Sequence, residues 1–372
     1  MDRVVASALL AVLLATIAFG ATRLGLGEVL GVGWGAVALS TFYAGRSISA
    51  SLGGLLYTRS PRLTRVLPSA ALLVIAASVY MQGVVRDPVI LSLLTGVQGF
   101  AAGFVWPLVQ TGVALHGGST FILSLYFATG SIGISVGRAA YPYLEQMLGL
   151  GSVFAIASLF YATAALVVAV GFRVRLAARG RGAGRRSVHG GVARAVLVNA
   201  ASGFAVGLDA QVLYPLLMEK GLDRFTASHL LSLGSLLGIP SKLASGAMGD
   251  RLGVYKSMLV LGAVIAASLA MLSTAEGLAA GIAALVYTGV STGLVPLARM
   301  AAALEGRRLG APAAVVGVAN TLSNVGSIAA ALAVPVLAST PGGLVAYAAP
   351  LLALTFYDGA SGRRVARVVA RG

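Results

Sequence analysis

A run of about twenty apolar residues constrains a chain more than any other feature. In hydrocarbon its backbone can satisfy its hydrogen bonds only as a helix or within a closed barrel. This sequence repeats such a run over 4–22, 30–52, 66–85, 89–115, 119–141, 149–172, 192–215, 226–247, 256–274, 278–303, 311–335 and 341–360. Each is long enough to cross a core about 30 Å thick at about 1.5 Å per residue. The runs show no alternation with period two and exceed the roughly 9–11 residues of a barrel strand. The expected fold is therefore all-α: a polytopic membrane protein with twelve transmembrane helices. The first run is also longer than the roughly 7–15 apolar residues of a cleaved secretory signal, and reads as a span.

Composition agrees, since 58% of the 372 residues are hydrophobic and 10% charged, whereas a water-facing domain carries about 25% charge. The absence of cysteine excludes a disulfide or thiolate-metal scaffold. The net charge of +16, from 27 Lys and Arg against 11 Asp and Glu, would suggest nucleic acid in a soluble protein. Here its distribution decides. With the N-terminus placed inside, nineteen basic residues fall on inner segments: Arg3, the Arg59–Arg65 cluster, seven from Arg173 to Arg194, Arg251, Lys256, Arg307, Arg308 and four from Arg363 onward. Only Arg23, Arg86, Lys220 and Arg224 are assigned to outer loops, beside Glu28, Asp87, Glu145, Glu219, Asp223 and Glu276. This is the positive-inside pattern. It predicts a multi-pass protein of the cell membrane with both termini cytoplasmic and no nucleic-acid partner. The Arg- and Gly-rich stretch 173–191 reads as a solvated cytoplasmic linker between a bundle at 1–172 and another at 192–372.

Polar groups inside a membrane are costly unless they face a cavity or a partner. Asn199, Asn320 and Asn324 all lie within apolar runs, and the last two, four residues apart, share one helical face. The strongly polar set also includes Arg46, Gln98, Gln110, Arg138, Asp209, Gln211, Lys242 and Arg299. It occupies runs 2, 4, 5, 7, 8, 10 and 11, whereas the other long-run positions hold only Gln82 and Asp358, near ends. Substrate-cavity candidates near the midplane are Tyr43, Gln98, Tyr126, Asn199, Tyr287, Asn320 and Asn324. Arg46, Lys242 and Arg299 fall toward the cytoplasmic third of their runs, and Arg138 and Asp209 toward the outer third. Gate pairs, snorkelling and interhelical hydrogen bonds compete there with substrate contact. Asp209 reads as an embedded carboxylate away from a helix end and is the candidate for a coupling proton, with a structural ion pair as the competing role. Four embedded cations against this carboxylate favour an organic or inorganic anion as substrate. Efflux of amphiphiles and a non-transporting sensor or scaffold are the alternatives.

Catalytic and metal chemistry finds no constellation. Gly133 to Gly137 spells G-x-S-x-G inside a helix run, where Gly130, Gly133 and Gly137 at helical spacing serve close packing. The glycines from Gly180 lack the Gly-Lys pair of a phosphate loop, and His116, His189 and His229 are isolated. No enzyme activity, cofactor or metal is expected.

The segment GAMGDRLGVYK from Gly246 to Lys256 is similar to the signature G-x-x-x-D-[RK]-x-G-x-[RK] of the major facilitator superfamily. Gly246, Asp250, Arg251 and Gly253 match it, and Lys256 lies one place beyond its usual basic pair. The corresponding first-half loop begins at Gly53 and has Tyr57 in place of the acid. GVQGFAAGFVWP from Gly96 resembles the family's fourth-helix pattern, with Thr95 where that pattern has Arg. The resemblance implies two pseudo-symmetric six-helix bundles, with helices 3, 6, 9 and 12 as peripheral supports. It further implies a cytoplasmic gate latched through Asp250, and secondary transport by alternating access around one central site. Its implied partners are the lipid bilayer, a small-molecule substrate and a coupling proton, in a monomeric carrier.

Overall fold

The computed structural model describes residues 2–59, 63–117, 120–172, 190–308 and 312–355. Twelve α-helices occur among them: α1 Arg3–Arg59, α2 Leu63–Val84, α3 Pro88–Gly117, α4 Thr120–Leu148, α5 Leu150–Gly171, α6 Gly190–Ala205, α7 Ala210–Glu219, α8 Arg224–Leu252, α9 Val254–Thr274, α10 Gly277–Ser291, α11 Leu294–Arg308 and α12 Pro312–Ala338. A 3₁₀ turn, Gly343–Tyr347, and a helical segment over 349–355 follow. No strand occurs among the described residues. Eight of the helical stretches are long and apolar enough to cross a membrane. Residues 173–189 of the expected linker, and Asp358, lie outside the described residues.

Helices and expected runs do not correspond one to one. Runs 4–22 and 30–52 are the two arms of α1, joined at Gly31 with φ 63°. The arms lie side by side, since the Phe19 and Phe42 rings are 6.0 Å apart. A reversal without a loop needs a residue free to adopt positive φ, which is the property of glycine. Arg23, expected in an outer loop, is therefore inside the first arm, which remains buried and apolar through Leu24, Leu26 and Leu30. The runs at 192–215 and 278–303 are each broken, at 206–209 and at 292–293.

The connections alternate between two ends. The near end holds the start of α1 and the α8–α9 junction; the far end holds Gly31 and the α2–α3, α4–α5, α7–α8 and α9–α10 turns. Far-end turns are capped by carboxylates. Asp87 accepts from the N–H groups of Val89 and Ile90, and Asp223 accepts from those of Phe225 and Thr226 at 2.9 and 3.0 Å. The Thr226 hydroxyl and, after it, these N–H groups favour the charged form, so the Asp223 carboxyl is held below the usual carboxylate range.

Helix α1 packs on α3, α4 and α5, while α2 packs on α3 and α5. In the second half, α6 packs on α11 and α12, and α10 packs on α8 and α9. Contacts between these groups run through α1 with α7 and α12, and through α4 with α8. The approach of α4 to α1 requires Gly137: a Cβ there would collide with the backbone oxygen of Ile17. Small residues that let backbones touch are the means by which helices associate in lipid.

Candidate functional site

A cavity of about 260 Å³ lies between both arms of α1, α3, α4 and α8, with Ile75 of α2 and Tyr161 of α5 also reaching it. Its polar lining comes from Arg46, Gln98, Tyr126, Ser131, Tyr161 and Lys242, with Phe19, Phe42, Trp106 and Phe127 among the apolar walls. Among the described residues, two cations line it and no carboxylate does. The Lys242 ammonium donates to Ser131 Oγ at 2.7 Å across the α4–α8 interface. Gln98 is held by a buried amide chain: its Nε2 donates to Gln82 Oε1 at 2.7 Å, and Gln82 Nε2 donates to Thr95 Oγ1 at 3.0 Å. Gln82, expected near the end of a peripheral helix, thus positions a cavity residue. Of the residues singled out in the sequence, Arg46, Gln98, Tyr126 and Lys242 share this cavity.

The others sit elsewhere. Asn199 is fully buried; its Nδ2 donates to the carbonyls of Ala195 and Ala298, and its Oδ1 accepts from Arg299 Nη1 at 3.0 Å. Asn199 and Arg299 therefore tie α6 to α11. The Tyr287 hydroxyl donates to the Ala205 carbonyl at 3.0 Å and accepts from the Leu208 N–H at 3.2 Å, pinning the α6–α7 break. Tyr43 packs against the buried apolar groups of both halves, its ring edge-on to Phe42. Asn320 and Asn324 are partly buried on α12. Asp209 is the N-cap of α7, so the carboxylate read as remote from a helix end sits at one that the break creates. It faces a smaller cavity of about 170 Å³, lined also by Arg138 and Thr288.

At the far end the two halves are locked together. Arg224 Nη2 lies 2.6 Å from Glu145 Oε2 and 3.3 Å from Glu28 Oε2, and the Tyr141 hydroxyl donates to the same Glu28 oxygen at 2.7 Å. Burial opposes the Arg224 charge, yet Glu28 and Glu145 together hold its pKa above the usual value. Beneath this layer, Arg138 donates to the Leu231 carbonyl at 3.1 Å and to Ser235 Oγ at 2.7 Å. The hydroxyls of Ser135 and Ser232 meet at 2.7 Å, and the Ser228 hydroxyl donates to the Arg138 carbonyl. Deeper still is Arg23, 1% exposed, with its guanidinium 4.6 Å from the Phe19 ring centre and 4.2 Å from that of Phe42. It donates to Gln211 Oε1, and Gln211 Nε2 donates to the Gly35 carbonyl at 2.9 Å. Arg23 was missed in the sequence because the nineteen residues of run 4–22 sufficed for the first span and left it beyond.

Toward the near end, α4, α8 and α11 leave a gap between them. An apolar pocket of about 280 Å³ opens there, lined by Leu125, Phe127, Ala128, Ile239, Lys242, Leu243, Val295 and Pro296. At the α8–α9 junction, Gly253 has φ 85° and follows the last turn of α8, while Arg251 and Lys256 are exposed. Gly246 is partly buried. The Asp250 side chain lies outside the described residues. Among those residues, no cluster of His, Asp or Glu could hold a metal ion.

The family model described as Major Facilitator Superfamily matches residues 4–331. No match is found among curated proteins. A mutant of the nucleoside transporter NupG superposes with a TM-score of 0.74 at 14% identity, over 96% of this chain and 99% of that one. An auto-inhibited POT family peptide transporter does so with 0.72 at 14% identity, over 98% and 97%. The human organic anion transporter MFSD10 (TETRAN) gives 0.65 at 17% identity, over 95% and 98%. At these identities the likeness concerns the fold.

Proposed function

The chain belongs to the Major Facilitator Superfamily, and from that premise we propose that it is a secondary active transporter moving a small anionic solute across the cell membrane by alternating access. The observation that carries the substrate class is the central cavity, where Arg46 and Lys242 are faced by no carboxylate among the described residues of the lining. An anion entering it would meet uncompensated positive charge in a medium of low dielectric, where attraction is strong. Gln98 and Tyr126 supply further polar contacts.

Two six-helix bundles, 1–172 and 192–372, would rock about this cavity with 173–191 as the cytoplasmic linker. The packing of α1 to α5 among themselves, and of α8 with α9 and α10, supports that division. With both termini cytoplasmic, the near end faces the cytoplasm. The structure then represents a state closed to the outside through Arg224, Arg138 and the Ser135–Ser232 contact. Asp209, opposite Arg138 in the smaller cavity, is our choice for the group that a coupling proton would neutralise. Carriage of amphiphiles is a second reading, favoured by the apolar pocket next to the cavity.

The test is uptake by proteoliposomes of a panel of small anions, cations and neutral solutes. Anion uptake should exceed cation uptake and fall at least tenfold in Arg46→Ala and Lys242→Ala. Equal uptake of cations, or indifference to both substitutions, sinks the anion assignment.

A further inference from the structure

The central cavity and the apolar pocket share two residues, Lys242 and Phe127. The rest of the pocket is hydrocarbon, and it faces outward: Leu243 is 61% exposed and Leu125 40%. In a spanning protein, that outward side is the bilayer interior. A lysine at the inner edge of such a pocket is costly unless something offsets its charge. Its hydrogen-bond partner is the neutral hydroxyl of Ser131, and among the described residues no carboxylate lines either space. The arrangement is a cation with a polar chamber on one side and an apolar slot on the other.

We propose that the site takes a single-chain amphiphile with an anionic headgroup, the head held by Lys242 and Arg46 in the cavity and the tail lying past Phe127 in the pocket between α4, α8 and α11. The inference rests on the anion reading above and adds the tail. Burial of a tail contributes in proportion to the apolar area removed from water, while the head neutralises Lys242. A cationic amphiphile of equal length would fill the same slot but place its charge against both cations. Entry from the membrane interior follows, because the slot opens there.

Trp34 and Trp106 are the two tryptophans, and Trp106 lines the cavity. In a Trp34→Phe protein held in nanodiscs, Trp106 fluorescence therefore reports occupancy. The probes are decanesulfonate, methanesulfonate and decyltrimethylammonium. Decanesulfonate should bind at least tenfold more tightly than methanesulfonate, and the cation should leave the signal unchanged. Ala128→Phe, which fills the slot, should erase the advantage of the tail while methanesulfonate binding persists. Leu243→Gln, at a side chain already exposed, should reduce it and serves if Ala128→Phe does not fold. Lys242→Gln should weaken both sulfonates by tenfold or more. A tail advantage that survives both slot variants, or is absent from the start, overturns the proposal yet leaves the anion reading intact, since methanesulfonate still binds through Lys242. If neither sulfonate binds, or the cation binds equally, both fall.

Discussion

Removing the Arg224 side chain should open the far end by a calculable amount. Arg224 bridges Glu145 at 2.6 Å and Glu28 at 3.3 Å, with the three side chains 23–32% exposed. At that exposure, solvent screens the charges, and each pair contributes about 0.2–1 kcal/mol. Losing both in Arg224→Gln removes about 0.4–2 kcal/mol from the closed state, a shift of about 2- to 30-fold in the closed-to-open ratio. The chain has no cysteine, so one can be introduced as the sole thiol. Ser228 is fully buried and donates to the Arg138 carbonyl across the α4–α8 interface, which opening must separate. The rate at which a membrane-impermeant maleimide labels Ser228→Cys then measures the open fraction. It should rise about 2- to 30-fold when Arg224→Gln is added, and the effect should shrink at high salt. An unchanged rate in low salt would refute the assignment of Arg224 as a gate that holds the two halves.

Three other perturbations are equally direct. The Ser135 and Ser232 hydroxyls are 2.7 Å apart; the double variant Ser135→Cys/Ser232→Cys should cross-link under oxidant, stop uptake, and recover with reductant. Asn199→Ala deprives Arg299 and the Ala298 carbonyl of a buried partner, and should cost about 1–3 kcal/mol in SDS unfolding. Asp223 caps α8 with a carboxyl whose pKa is lowered by the Thr226 side chain and by the N–H groups it accepts from. Its contribution is complete above the ordinary aspartate range and is lost as pH falls through the lowered value. Asp223→Ala should therefore lower Tm near neutral pH, and the difference from the native chain should vanish in acid.

The spans were legible because hydrophobic length is a local property, and the embedded Arg46, Gln98, Tyr126 and Lys242 were legible because polarity inside such a run is rare. What was hidden depends on pairs. Gln82 resembled an end-of-helix amide until Gln98 was found against it. The Gly207–Asp209 segment carries a capping signal, a glycine followed by an N-cap acid, but it lies in an otherwise apolar stretch whose length suggested one helix. Asn199 and Arg299, each equally suited to a ligand or a partner by sequence, hydrogen-bond to each other at 3.0 Å, a pairing that their separation of 100 residues does not reveal. Arg224, Glu28 and Glu145 were read as scattered loop charges, since nothing in separations of 79 residues from Arg224 to Glu145 and 196 to Glu28 tells that they converge.

Gly31 has a mechanical consequence. With no linking loop, the two arms of α1 form a fork joined through one residue, so the far ends of the two prongs stay together when either moves. That fork touches α3, α4 and α5 on one flank and α7 and α12 on the other. It therefore acts as a crossbar, passing displacement from one flank to the other through a joint one residue long. Slack inserted at that joint would leave each prong seated among its neighbours and break the transmission between them.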